Sequence, residues 1–309
     1  MNLTRREWLA TTAAATLTVP ATAADAKPTI VDTHTHFYDP TRTQGVPWPA
    51  KDDKLLYRRV LPAEYRKLAE PLGITGTVVV EASPWVEDNQ WLLDLAKDEP
   101  FILGVVGRLI PTEMNFVANL DRFAKNPLFR GIRVTHDEVK KALTDDTVAK
   151  NLQAFSDRRL TLDVNGGPEL LPDIVKLSKK FTSLTIVVNH MANPKIDGKA
   201  ADKAYRENLA AAAEGRNVWC KFSALVDGTR KRDGSAPTDL DFYRPTLDAV
   251  WAAFGELRLM FGSNWPVSDY AAKLETTVSL ATKYVTEKAG DPAKVFATNA
   301  KLAYQLTRG

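Results

Sequence analysis

From residue 27 onward, short β-branched apolar runs alternate with longer stretches whose apolar residues recur at helical spacing. The first pattern marks a buried strand and the second an amphipathic helix, so the chain reads as repeated strand–helix units around a parallel sheet. Eight strands are predicted, at 29–33, 76–81, 102–108, 131–135, 161–164, 185–189, 218–222 and 259–262. Helical stretches fall between them at 88–98, 116–125, 146–158, 170–180, 205–214 and 242–254. Eight such units in about 250 residues are what a (β/α)8 TIM barrel needs. No low-complexity linker interrupts them, so residues 27–309 are read as one α/β domain.

Two long connections break the rhythm, 37–61 after the first strand and 224–241 after the seventh. Loops that follow barrel strands lie on the C-terminal face, where such enzymes place their chemistry, so both are candidate lids. The run Arg230-Lys231-Arg232-Asp233-Gly234 in the second is read first as a solvated loop and only then as an anion clamp.

Residues 1–26 are set aside as an export signal. Thr4-Arg5-Arg6-Glu7-Trp8-Leu9 supplies a twin arginine ahead of a modest Ala/Thr/Leu/Val stretch, and small-residue cleavage patterns follow at Ala21-Thr22-Ala23 and Ala24-Asp25-Ala26. The apolar stretch is too short to span a bilayer, so an exported, periplasmic or extracellular protein without a membrane anchor is expected. The leader's two arginines are balanced by Glu7 and Asp25, so the formal charge stays at +3 without it, too even to point to nucleic acid. A single cysteine, Cys220, excludes an internal disulfide and reads as an inert strand residue. With no Gly-x-Ser-x-Gly elbow, Walker sequence or Gly-x-Gly-x-x-Gly, serine-hydrolase and nucleotide chemistry lose their support.

The chemistry collects at the strand ends. In Ile30-Val31-Asp32-Thr33-His34-Thr35-His36 two imidazoles lie two residues apart, on one face of a strand, where they can share a metal ion or polarise one substrate oxygen. The chain holds only four histidines, and the other two, His136 and His190, also close apolar runs. In a barrel these would converge with Glu81, Arg108, Arg133, Asn165 and Ser263-Asn264. That composition suits hydrolysis of a small molecule: imidazoles to bind metal or shuttle protons, arginines to fix an anion or oxyanion. Arg133, His136, Arg108 and Trp265 are the expected substrate contacts, although an aromatic beside proline more often packs against the rim.

These residues resemble a known family. Val31-Asp32-Thr33-His34-Thr35-His36, Phe129-Arg130-Gly131-Ile132-Arg133, Val188-Asn189-His190-Met191-Ala192-Asn193-Pro194 and Met260-Phe261-Gly262-Ser263-Asn264-Trp265-Pro266-Val267 look like signature segments of amidohydrolase family 2, in the branch containing sugar-lactone and pyrone-dicarboxylate lactonases. The resemblance implies a (β/α)8 fold, with His34, His36 and His190 either holding one divalent ion, zinc or manganese, or polarising a lactone carbonyl without metal. It also implies an acid after the eighth strand, and there this chain departs, with Asn264. An amide accepts no proton near neutral pH. Glu81, Asp269 or His190 are the substitutes expected as base, with Asn264 orienting water. Lactone hydrolysis is the leading expectation. Metal-dependent decarboxylation in the same family, or a barrel that only binds a sugar acid, are the alternatives. Nothing in the sequence bars a homo-oligomer, and none is specified.

Overall fold

The computed structural model describes residues 29–308, so the leader expected at residues 1–26 lies outside the described residues. Every predicted strand is present within two residues of its expected bounds: β1 (Ile30–Thr35), β2 (Ile74–Val80), β3 (Ile102–Gly107), β4 (Phe129–Thr135), β5 (Thr161–Asn165), β6 (Thr185–Val188), β7 (Val218–Ser223) and β8 (Leu259–Gly262). They pair in parallel and in chain order. Closure between β8 and β1 rests on Asn264 N donating to His34 O at 2.8 Å and His36 N donating to Trp265 O at 3.0 Å. Asp32 fastens the same seam, accepting the backbone N–H groups of His34 and Ser263 at 2.9 Å each and the Tyr65 hydroxyl at 2.5 Å. The result is the (β/α)8 barrel that the apolar pattern predicts.

Alternation along the strands separates two apolar layers. Val79, Val105, Ile132 and Leu162 face the surrounding helices in the large cluster. Their neighbours Val78, Val80 and Val106 join Val187 and Met260 inside the barrel, where Ala303 and Tyr304 of the C-terminal segment pack beneath them. Thr161 Oγ1 donates to Ala303 O at 2.6 Å, tying that segment to β5.

All six predicted helical stretches are found, the longest as Leu240–Arg258. Helices at Pro62–Ala69, His136–Thr144, Leu274–Lys288 and Asn299–Ala303 add to them. The second of these begins at a capping box: the Thr135 hydroxyl accepts from Glu138 N while the Glu138 carboxylate accepts from Thr135 N. No described helix is long and apolar enough to cross a membrane.

Candidate active site

A cavity of about 600 Å³ opens at the C-terminal ends of the strands, a size suited to a single sugar-sized ring. His36, His190 and Asn264 line its floor, with Glu81, Arg108 and Arg133 on one wall. Both long connections reach it, the first through Trp48 and the second through Ala224, Asp227 and all three residues of Arg230-Lys231-Arg232. The basic run is exposed, as a solvated loop would be, yet it faces the cavity.

His34 lies fully buried below that floor. Its ring centroid is 4.2 Å from that of His190 and 5.0 Å from that of His36. Glycine at 262 makes room for it, since a Cβ there would come within 2.9 Å of the His34 Cβ. Behind the ring stands a feature that sequence reasoning missed. Lys221 Nζ, with no exposed surface, lies 3.2 Å from His34 Nδ1 and 2.6 Å from Asp163 Oδ2. The other Asp163 oxygen accepts the Tyr304 hydroxyl at 2.7 Å. Burial pulls the Lys221 pKa below its ordinary value, against the opposing pull of Asp163.

This column decides the His34 tautomer. An ammonium has only protons to offer, so His34 accepts at Nδ1 and the neutral ring carries its hydrogen on Nε2. That Nε2 is buried and has no protein partner. Burial, then His190 and Lys221, hold the His34 pKa well below the usual imidazole range. Burial and Arg133 bring His36 down to about 3, and burial with Lys221 lowers His190 strongly. All three imidazoles are therefore neutral near pH 7.

His36 Nδ1 lies 2.9 Å from Val80 O and donates there, leaving its Nε2 unprotonated. His190 Nδ1 pairs with Ser223 Oγ at 2.9 Å. The backbone that presents His190 is costly: His190, Met191, Ala192 and Asn193 are four consecutive non-glycine residues in the left-handed region, with φ between 48° and 62°. Each such residue costs about 1–2 kcal/mol in isolation. Hydrogen bonds hold the turn, from Tyr205 Oη to Met191 O (2.7 Å), from Arg230 Nη2 to Asn193 O (2.8 Å) and from Asn193 Nδ2 to Gly166 O (2.9 Å).

The donor set does not fit a resident divalent metal. A ring protonated on Nε2 cannot ligate through it, which leaves His36 and His190 among the three expected ligands. Among the described residues, no group of three His, Cys, Asp or Glu side chains is arranged to hold one ion.

The acids and cations sort differently from expectation. Glu81 lines the cavity, but Oε1 accepts Arg133 Nε at 2.8 Å and Oε2 accepts Ser83 N at 2.9 Å, so both oxygens are engaged and it holds Arg133 in place. Arg133 Nη2 donates to Glu81 O at 2.9 Å, while Nη1 has no hydrogen-bond partner among the described residues. Arg108 reaches the cavity with its charge already matched by a two-pronged pair to Glu138, at 2.7 and 2.9 Å, rather than by Glu81. Asp269 does not line the cavity. It sits in the turn Val267–Tyr270, where burial raises its pKa to about 6 against Arg58, and its place off the cavity lining sets it apart from the expected base.

Two expected substrate contacts are also displaced. His136 directly follows the end of β4 but opens a helix there, and its Nε2 pairs with Asp173 Oδ2 at 2.9 Å outside the cavity. Trp265 has no exposed surface and packs on the outer side of the barrel, 5.0 Å from the Tyr65 ring and 6.4 Å from Phe37. Cys220 is inert as expected, with burial pushing its thiol up to about 12.

A second residue missed in the sequence is Asp227, in a short turn at Asp227–Thr229 of the second long loop. Its Oδ1 accepts Asn264 Nδ2 at 2.9 Å, and its Oδ2 is buried without a partner. Burial raises its pKa to about 7, opposed by the Asn264 hydrogen bond and Arg230 and reinforced by Asp269.

Comparison with known proteins agrees with this geometry. Residues 31–306 match the family described as amidohydrolase. An L-fucono-1,5-lactonase of Burkholderia ambifaria is 31% identical over 287 residues, covering 90% of this chain and 96% of that protein. A 2-pyrone-4,6-dicarboxylate hydrolase of Comamonas testosteroni is 26% identical over 76% of each chain. Among solved structures, an amidohydrolase from Burkholderia multivorans superposes with a TM-score of 0.81 at 26% identity, over 90% of this chain and 99% of that one, and in one crystal form it holds zinc.

Proposed function

The chain belongs to the amidohydrolase family, and from its site we propose that it hydrolyses the ring ester of a small sugar-acid lactone. The observation that carries the reading is His34 Nε2, buried with no protein partner on a ring backed by Lys221 at Nδ1 and packed beside His36 and His190 of the cavity floor. A donor held in that state suits an oxygen whose negative charge grows as a tetrahedral centre forms. Arg133, fixed by Glu81, adds a cation on the adjoining wall. Hydrolysis turns a neutral ring ester into a carboxylate, and the basic rim of Arg230, Lys231 and Arg232 suits an acidic product or a substrate already bearing a carboxylate.

The substrates named for two relatives, L-fucono-1,5-lactone and 2-pyrone-4,6-dicarboxylate, one neutral and one doubly charged, bound the range we propose to test. Export through the leader at residues 1–26 belongs to the same proposal. The test is turnover of a panel of aldono-1,5-lactones and pyrone dicarboxylates, followed as acid release. His34→Ala should lose at least a hundredfold in kcat, the size of one oxyanion donor. Dialysis against a chelator should leave the native rate unchanged. A loss restored by zinc would return His34, His36 and His190 to the role of ligands, and full activity in His34→Ala would sink the reading.

A further inference from the structure

Asn264 leaves lactone hydrolysis without a base at the end of β8, and the cavity supplies a replacement from the neighbouring strand's loop. We propose that Asp227 is the proton acceptor of this site and that Asn264 is its positioning partner, the carboxylate having moved from the end of β8 to the loop after β7. The inference rests on the lactonase reading above.

The geometry selects Asp227 by what the other groups are already doing. Glu81 has both oxygens taken by Arg133 and Ser83. Asp269 lies off the cavity. The imidazoles of His34, His36 and His190 are held neutral by burial and by nearby cations, which makes them weak proton acceptors. Asp227 lines the cavity with one oxygen engaged by Asn264 and the other unpartnered. Rotation about the Cβ–Cγ bond, a soft torsion, turns either oxygen towards a water in the cavity.

Asn264 is itself firmly placed. It sits in the left-handed region at φ 64°, its N–H donates to His34 O at 2.8 Å, and its carbonyl accepts Ser268 N at 3.1 Å. From that backbone the amide side chain donates to Asp227 Oδ1 and lies against His36. Besides Asn264, the groups facing Asp227 are Arg230, Asp269 and Tyr243.

The step balances without a co-reactant. Asp227 takes a proton from water as the water oxygen bonds to the lactone carbonyl carbon. The tetrahedral centre then collapses, the ring C–O bond breaks, and the proton passes from Asp227 to the departing alkoxide. The carboxylate is regenerated. A pKa raised close to working pH matches a group that must both take and return a proton.

The test is an exchange of the pair. Three variants, Asp227→Asn, Asn264→Asp and the double exchange of both, are compared with the native protein on the lactone it turns over fastest, with kcat and KM resolved across pH 5 to 9. Thermal unfolding of each serves as a control on folding. Asp227→Asn should lower kcat about 10²–10⁴-fold with little change in KM, and should remove the acidic limb of the native pH profile. The double exchange should recover at least tenfold over Asp227→Asn, because it restores one carboxylate to the pair. An Asp227→Asn protein within tenfold of native kcat overturns the inference, and so does a double exchange no better than the single variant. Native protein that turns over no lactone in the panel removes the lactonase reading itself and this inference with it.

Discussion

Two polar groups share the barrel interior and are built on opposite terms. Below the floor, Tyr304, Asp163, Lys221 and His34 form a column in which both Asp163 oxygens are engaged and Lys221 has no exposed surface. At the rim, the Asp227–Asn264 pair leaves one carboxylate oxygen buried and unpartnered. A buried charge with full partners stays charged and still, whereas one short of a partner pays a desolvation penalty and drifts towards its neutral form. The column therefore holds geometry, and the rim holds a proton that can move.

Breaking the column should have the largest effect on the fold. Lys221→Met strands Asp163 as an uncompensated buried carboxylate, and urea unfolding should show a loss of about 3–5 kcal/mol, with turnover falling alongside as His34 loses its tautomer. The rim should respond with the opposite sign. A carboxyl with pKa 3.8 in the unfolded chain and about 7 in the fold binds more protons when folded, so its stability cost is complete above about pH 7 and vanishes below about pH 3.8. Asp227→Asn should accordingly be more stable than native protein at pH 8, by up to about 4 kcal/mol less what the lost Asn264 hydrogen bond contributed, and that gain should shrink steadily by pH 5. If Asp227→Asn is instead destabilised at pH 8, the two groups do not differ in the way described. The mildest change is Tyr304→Phe, which removes one donor from Asp163 and should cost about 1–2 kcal/mol in the same unfolding experiment, with kcat within a few fold of native.

The difference between the two groups also explains what the sequence made legible. Strands show through because their β-branched runs are buried on both faces, and the His34–His36 pair and His190 follow from where those runs end. Lys221 and Asp163 carry a signal that went unused: each is a lone charge inside an apolar strand, in Val218-Trp219-Cys220-Lys221-Phe222 and Thr161-Leu162-Asp163-Val164, with opposite signs. Two such residues in one barrel are natural partners, since a buried charge needs one. His136 directly follows β4 as expected, but Thr135 and Glu138 spell a capping box that starts a helix there, and its ring pairs with Asp173 instead of joining the cavity. Asp227 had no comparable signal. Its importance comes from the path of an irregular loop and from the left-handed turn of Asn264, neither of which periodicity encodes.

The Tyr304 phenol has a consequence for the time at which the site comes into being. On the ribosome His34 is among the first parts of the barrel to be made, and Lys221 and Asp163 follow while much of the chain is still to come. Tyr304 is made after all three, and only then do Asp163 and the underside of the barrel acquire this further partner. A nascent chain can hold every cavity-lining residue and still lack the settled ionic column that orients its buried imidazole. The final settling of the column thus waits on a residue made after the whole cavity lining, at the end of the barrel opposite the chemistry.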